Sequence, residues 1–321
     1  MAALSNQNGA RNATAGHPPR DGCRESPDPA APIKVVVTER VGVVGCGLMG
    51  SGIAEMAARS GFDVVVQEVD ETRADAGRRK IDSSLARGLR AGKLSEDDIA
   101  AAQARLRFVT DLGELADRQV VIEAIVEDED AKKQVFTALD KVVDDPSAIL
   151  ASNTSSIPIM KLGMATGRPE QVIGIHFFNP VPVLKLVELV SSLLTSEPTA
   201  ERAAGFAETL GKHVIRSQDR AGFVVNALLI PYLLSAIRML ESGFATAEDI
   251  DAGMVEGCAH PMGPLALTDL IGLDTTKAVA ESLYEEFREQ LYAPPPLLVR
   301  MVEAGLLGRK SGRGFHDYST T

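Results

Sequence analysis

From Val35 onward, short β-branched runs alternate with longer stretches whose apolar residues recur at helical spacing. The short runs predict strands at Val41–Val44, Val64–Val66, Leu106–Val109, Val120–Ala124, Ala148–Ala151 and Val172–Ile175, then Leu186–Leu189 and His213–Ile215. Helices are predicted between them at Met49–Ser60, Glu71–Arg90, Glu129–Val143 and near Thr199–Leu210. Alternation of this kind is the rhythm of βαβ units and a mostly parallel sheet. After Arg220 the strand signals vanish. Phe223–Glu241, Ala247–Glu256, Leu265–Phe287 and Leu297–Ala304 read as helices separated by Gly and Pro. The expected class is α/β, with an open-sheet domain over residues 34–217 and an all-helical domain over residues 218–321. Residues 1–33 show no apolar period and read as a disordered tail.

Composition narrows the possibilities. A chain of 321 residues with 45% apolar content can build two cores. A net charge of −11 argues against nucleic acid or an anionic membrane as a partner. The longest apolar stretch, Phe223–Ile237, is interrupted by Asn226 and Pro231, so it reads as a buried helix and not a membrane span. The tail lacks the apolar core of a secretory signal. Its first 20 residues hold Arg11 and Arg20 without an acid, but Pro18-Pro19 and the missing amphipathic pattern weigh against a transit peptide. Cys23, Cys46 and Cys258 are scattered and odd in number, which fits a reducing, cytoplasmic setting. No metal is expected, because His17, His213, His260 and His316 have no Cys or His at ligand spacing.

Between the first predicted strand and helix stands Gly45-Cys46-Gly47-Leu48-Met49-Gly50. Alone, G-x-G-x-x-G is a weak signal. Here a strand precedes it, a helix follows, and Glu68 closes the second strand 18 residues after Gly50. This is the context of a Rossmann-like dinucleotide site. Gly45 would allow the tight turn, Gly47 the approach of the diphosphate, and Gly50 close helix–strand packing. The N–H groups opening the helix would meet the phosphates. Glu68 would accept from the adenosine ribose hydroxyls and repel a 2′-phosphate, favouring NAD over NADP. A Gly-rich turn of purely structural use is the alternative.

Further along, Gly174–Glu188 reads GIHFFNPVPVLKLVE, two β-like runs joined through Pro180-Val181-Pro182. It carries one histidine, His176, and one carboxylate, Glu188. An imidazole titrates near neutrality, and a carboxylate beside it can orient the ring and favour its cation. That is the equipment of a general base. A buried histidine with a structural partner would look the same in sequence.

The segments VGVVGCGLMGSGIA, VIEAIVE, ASNTSSI, HFFNPVPVLKLVELV, DRAGFVVNALLIPYL, HPMGPLALTDLIGLD and LGRKSGRGFHDY together resemble the 3-hydroxyacyl-CoA dehydrogenase family. Within it they are most like the bacterial 3-hydroxybutyryl-CoA dehydrogenases. The likeness spans Val41 to Tyr318. It implies an NAD domain with an eight-stranded sheet, a helical domain that forms a homodimer, and an acyl-CoA cleft between the two. By motif, the catalytic base falls on His176 and its acid on Glu188, with Ser155 and Asn226 positioning the substrate oxygen. Asn153 would lie beside the nicotinamide and Glu123 near its ribose. Leu48 and Met49 belong to the cofactor loop. Two positions depart from the family pattern: Ala221, where proline is common, and Ala227, where arginine usually follows the asparagine.

The implied activity is NAD-dependent oxidation of a short-chain L-3-hydroxyacyl-CoA and its reverse. Between Arg73 and Lys93, seven basic residues face only Asp75 and Asp82. In so acidic a chain this excess suits a phosphate-bearing ligand such as the 3′-phospho-ADP of coenzyme A, with Ser84 and Lys93 as contacts. A solvated helix face, with cations complementing the helix end, is the plain alternative. A related dehydrogenase of a free hydroxy acid or sugar acid, or a non-catalytic NAD-binding protein, are the rival readings.

Overall fold

The computed structural model describes residues 40–319, so the tail expected over residues 1–33 lies outside them. Eight strands form one sheet: β1 (Arg40–Val44), β2 (Asp63–Gln67), β3 (Leu106–Val109), β4 (Val120–Glu123), β5 (Ile149–Ser152), β6 (Val172–Phe177), β7 (Leu186–Ser191) and β8 (His213–Gln218). Their order is β3-β2-β1-β4-β5-β6-β7-β8. All neighbours run parallel except β6 and β7. The order reverses between β1 and β4, which opens a crevice at the carboxyl ends of those strands, where such sheets bind ligands.

Alternate residues of the central strands feed two cores, as a sheet covered on both faces requires. Val41, Val43, Val64 and Val66 pack under α1 (Leu48–Arg59), α2 (Glu71–Arg90), α3 (Glu96–Ala104) and α6 (Glu197–Thr209). Val44, Val65 and Val121 pack under α4 (Glu129–Val142) and α5 (Ile159–Gly163). A third core joins α7 (Val225–Glu241), α8 (Ala247–Cys258), α9 (Pro264–Ile271), α10 (Leu273–Phe287) and α11 (Pro296–Glu303). No helix among the described residues is long and apolar enough to cross a membrane.

The structure corrects the expected elements in several places, and the short helix α5 is one addition. Helix α3 was not expected. It is Ala-rich with almost no apolar stripe, but Ser95 and Asp98 form a capping box that marks its start. The single helix expected over Leu265–Phe287 breaks at Gly272, whose φ of 103° no helix accommodates. Strand β6 runs two residues past Ile175 and carries His176 within it.

The sheet and helical parts meet at Ala221-Gly222-Phe223. Gly222 and Phe223 both have positive φ, 75° and 49°. A Cβ on Gly222 would lie 2.9 Å from the Ala227 nitrogen, so the tight turn into α7 excludes other residues. Phe223 is buried in the core under α4 and α5, which ties the first residues of the helical part to the sheet. Ala221 donates its N–H to Glu286 of α10 at 2.9 Å. A proline there would have no hydrogen to give, so the departure at this position supplies an extra tie. At the other end of the chain, Asp269 accepts from the backbone of Phe315 and His316 at 2.9 Å each, and from the Tyr318 hydroxyl at 3.1 Å. Asp251 accepts from Leu265 and Ala266 N–H and from His316 Nε2.

A buried ion pair locks β4, β5 and α4 together. Lys132 and Glu123 are both essentially inaccessible, 2.6 Å apart. Glu123 also accepts from Ser152 Oγ at 2.6 Å and Ile125 N–H at 2.7 Å. Removing one partner strands a charge in the core. Lys132→Ala is expected to cost about 3–5 kcal/mol in urea denaturation, and Glu123→Ala/Lys132→Ala less than the sum of its parts.

Candidate active site

The loop after β1 is shaped for a diphosphate. Gly45 has φ of 89°, and a Cβ there would sit 2.9 Å from the Ala124 carbonyl oxygen. A Cβ on Gly50 would lie 1.9 Å from the Gly45 carbonyl oxygen, so only glycine lets α1 pack this closely. Gly47, by contrast, faces open space. No side chain caps α1, which leaves its first N–H groups free to meet an anion. Leu48 is exposed beside them, while Met49 packs on the core. Glu68, just beyond β2, accepts from Cys46 N–H at 2.6 Å and so ties the loop to the second strand. Burial and the Glu68 charge push the Cys46 thiol up to about 12, which keeps it unreactive. Open face, unpaired donors and a carboxylate at the ribose position fit a dinucleotide.

His176 and Glu188 stand directly opposite each other in the antiparallel β6–β7 pair. Opposed residues project to the same face, and here Nδ1 lies 2.7 Å from Glu188 Oε2. Against a carboxylate, Nδ1 carries the hydrogen, which leaves Nε2 with its lone pair as the acceptor. Phe178 and Phe223 wall the ring at centroid distances of 4.6 and 5.5 Å. The second oxygen of Glu188 accepts from Val224 and Val225 N–H at 3.0 and 2.9 Å, at the start of α7. Negative charge at a helix N-terminus is favourable, so one fully buried carboxylate serves two structures. Asn226 follows immediately on α7, and its side chain has no hydrogen bond among the described residues.

The ASNTSS segment reaches the same edge from β5. Asn153 Oδ1 accepts from Phe177 N–H at 2.9 Å, stitching this loop to the end of β6. Ser155 offers its backbone N–H to Glu127, while its hydroxyl makes no hydrogen bond among the described residues. It is no helix cap: the open N–H groups of α5 are met by Asp219, at 2.8 Å from Ile159 and 2.7 Å from Met160. Ser155, Asn153, His176, Glu188 and Asn226 are therefore brought to one edge of the sheet.

Glu123 is placed differently from expectation. It is fully buried, and both its oxygens are already engaged. Glu127 is one of three exposed carboxylates of this stretch, with Asp128 and Asp130, and the one that binds the ASNTSS segment; sequence reasoning passed over it. Its Oε1 gathers Thr154 Oγ1 and the N–H groups of Ser155 and Ser156, and Lys132 lies 3.2 Å from Oε2. Partial burial works against its charge, but Lys132 and these donors hold its carboxyl below the usual range. The run of acids in EAIVEDED was visible in sequence. Which of them faced outward was not.

Beside the loop, α1, α2 and the Pro180–Val183 turn enclose a groove of about 680 Å³. Both Ser84 and Lys93 line it, with Arg59, Arg79, Lys80 and Arg87. The turn is braced by Lys212, whose buried ammonium donates to the carbonyls of Val181 and, at 2.8 Å, Leu184.

Comparison with known proteins shows the family. Residues 40–220 match the model for the 3-hydroxyacyl-CoA dehydrogenase NAD binding domain, and residues 222–318 the model for the 3-hydroxyacyl-CoA dehydrogenase C-terminal domain. The chain is 61% identical over 281 residues to a 3-hydroxybutyryl-CoA dehydrogenase of Mycobacterium tuberculosis, covering 87% of this chain and 98% of that one. The crystal structure of FadB2 from M. tuberculosis superposes with a TM-score of 0.87 at 61% identity, over 88% of this chain and 99% of that one. (S)-3-hydroxybutyryl-CoA dehydrogenase PaaH1 from Ralstonia eutropha does so with a TM-score of 0.84 at 45% identity, over 88% and 100%. The chain belongs to the 3-hydroxyacyl-CoA dehydrogenase family and is an NAD-dependent oxidoreductase of that family.

Proposed function

We propose that this enzyme interconverts short-chain L-3-hydroxyacyl-CoA, 3-hydroxybutyryl-CoA in particular, and the 3-oxoacyl-CoA, with His176 as the general base. The observation that carries the reading is the His176–Glu188 pair, buried and 2.7 Å apart, at the sheet edge that also holds Ser155 and Asn226. The short-chain assignment is favoured by relatives named as 3-hydroxybutyryl-CoA dehydrogenases.

Oxidising a secondary alcohol needs a base for the O–H proton and an acceptor for the C–H hydride. Bound NAD supplies the hydride acceptor. His176 Nε2 takes the hydroxyl proton, and Glu188 holds the Nδ1 hydrogen and steadies the imidazolium that results. Ser155 Oγ and the Asn226 amide, both without a hydrogen bond among the described residues, donate to the substrate oxygen as it becomes a carbonyl. Phe178 and Phe223 keep bulk water from the ring. Gly45, Gly47, Leu48, Met49 and Gly50 cradle the diphosphate. Glu68 reads the adenosine ribose, Asn153 lies towards the nicotinamide, and Glu123 supports that end through Lys132 and Glu127. Ser84 and Lys93 take the coenzyme A phosphates in a groove whose cations a free hydroxy acid or sugar acid would leave unused.

The working form is a homodimer, a reading supported by α7, which leaves Leu228 and Met239 exposed. The unpaired Cys46 and Cys258 favour a reducing compartment, which we take to be the cytoplasm.

NADH absorbance followed with acetoacetyl-CoA, longer 3-oxoacyl-CoAs and free acetoacetate tests the substrate. The four-carbon thioester should be preferred, and turnover of free acetoacetate alone would refute the assignment. His176→Gln is expected to lower kcat by about 10²–10⁴-fold with NADH affinity close to that of the parent. A matching loss of NADH binding would remove His176 from the chemistry. Glu68→Ala should shift the ratio of kcat/KM for NADPH against NADH towards NADPH, and an unaltered ratio would count against the ribose assignment.

A further inference from the structure

The turn after β6 forms one wall of the groove, and its own backbone does little to hold it there. Asn179, Pro180, Val181, Pro182 and Val183 all line the groove. Within the turn, the N–H groups of Val183 and Leu184 both return to the Pro180 carbonyl, at 2.9 and 3.0 Å. Pro180 and Pro182 have no N–H to give. The β6–β7 ladder ends at Phe177 and Val187, so it fixes His176 and Glu188 and leaves the turn outside. Two anchors reach it. The Val181 side chain is buried under α1, where a Cβ on Gly52 would come within 2.8 Å of it. Lys212, in the link between α6 and β8, donates from Nζ to the carbonyls of Val181 and, at 2.8 Å, Leu184.

Stability alone does not call for a lysine in this place. Lys212 is 8% exposed, and among the described residues no carboxylate pairs with it. Burial, and then the charge of Arg59, pull its ammonium below the usual lysine range. The turn it holds stands partly in water, with Val183 61% exposed, and water can satisfy the carbonyls of such a turn. A buried cation without an anion is therefore kept for where it puts the turn. We propose that Lys212 is a positioning residue for the substrate, holding the Pro180–Leu184 turn as the wall against which the thioester arm of coenzyme A lies. The proposal rests on the reading that the substrate is a coenzyme A thioester.

The chemistry of an ammonium suits the task. Its three hydrogens diverge from one centre, so a single group grips two carbonyls three residues apart and sets both the place and the tilt of the turn. A methyl group there would leave both carbonyls without that donor. The same geometry separates binding from chemistry. His176 keeps its place through the ladder and through Glu188, and the cofactor loop is tied to β2 by Glu68, so neither depends on Lys212. Loosening the turn should weaken the hold on the thioester and spare the base and the nucleotide.

The test uses the full-length enzyme with Lys212→Met and Lys212→Arg. At saturating NADH, Lys212→Met should raise KM about tenfold for both acetoacetyl-CoA and acetoacetyl-pantetheine, with kcat within about twofold of the parent and NADH affinity unaltered. Lys212→Arg, which keeps N–H donors for the carbonyls, should recover most of the loss. Amide hydrogen exchange reads the turn itself: in Lys212→Met the Val183 and Leu184 amides should exchange about tenfold faster, with those of β6 and β7 unchanged. A rise in KM confined to acetoacetyl-CoA would mean that the charge of Lys212 acts on the phosphates, and would overturn the positioning role. Loss of NADH binding together with the rest would show a scaffold residue and overturn it equally. Unchanged KM values in a variant of an active parent would overturn the role of Lys212 alone, whereas a parent inert towards acetoacetyl-CoA would overturn the substrate reading with it.

Discussion

A single carboxylate in the heart of the molecule sets the terms for everything around it. Glu188 is fully buried, and a charge in that position survives only when its lone pairs are met. It meets them by drawing on three places: the imidazole of His176 on the neighbouring strand and the two N–H groups that open α7. Ring orientation, helix position and the location of Asn226 are thus consequences of one demand for compensation. The antiparallel turn of β7 is part of it. In the observed register His176 and Glu188 share a face, and a slip of one residue would send them to opposite sides of the sheet.

The loops at this edge are held by the same kind of bond, a side-chain acceptor taking backbone N–H groups. Glu127 gathers Ser155 and Ser156, Asn153 takes Phe177, and Asp219 takes the start of α5. Glu286 takes Ala221, and Ser282 reaches across from α10 to the Ser156 carbonyl at 3.1 Å. Groups that would touch substrate, Ser155 Oγ and the Asn226 amide, are left without such duties. Rigidity is supplied by neighbours, and the reacting face stays free. This is the arrangement that positioning demands.

All eight strands were legible because the central ones write themselves as runs of Val and Ile, while β3 and β8 at the sheet's two edges still carry short apolar runs between helical stretches. The Gly45–Gly50 loop and the His176–Glu188 pair were legible because each sits in a context that its chemistry dictates. Other features were not. Helix α3 is almost solvent-covered and has little apolar period to read; its Ser95–Asp98 capping box was its one mark in sequence and was passed over. The break at Gly272 hid inside a run of good helix formers, where one glycine is a weak signal. Glu123 and Glu127 are four residues apart with identical chemistry, and only the fold decides which one faces Lys132 from within and which turns outward.

The two aspartates that gather Phe315, His316 and Tyr318 give the last stretch of the chain a weight its position would not suggest. Both lie on helices of the third core, and Asp269 is almost wholly inaccessible. Clipping the polypeptide ahead of Phe315 would leave Asp269 without the donors that offset its burial, so the tolerance to trimming usual at a terminus does not extend here. A protease reaching that stretch would act as an inactivator of the helical half without ever touching the nucleotide crevice.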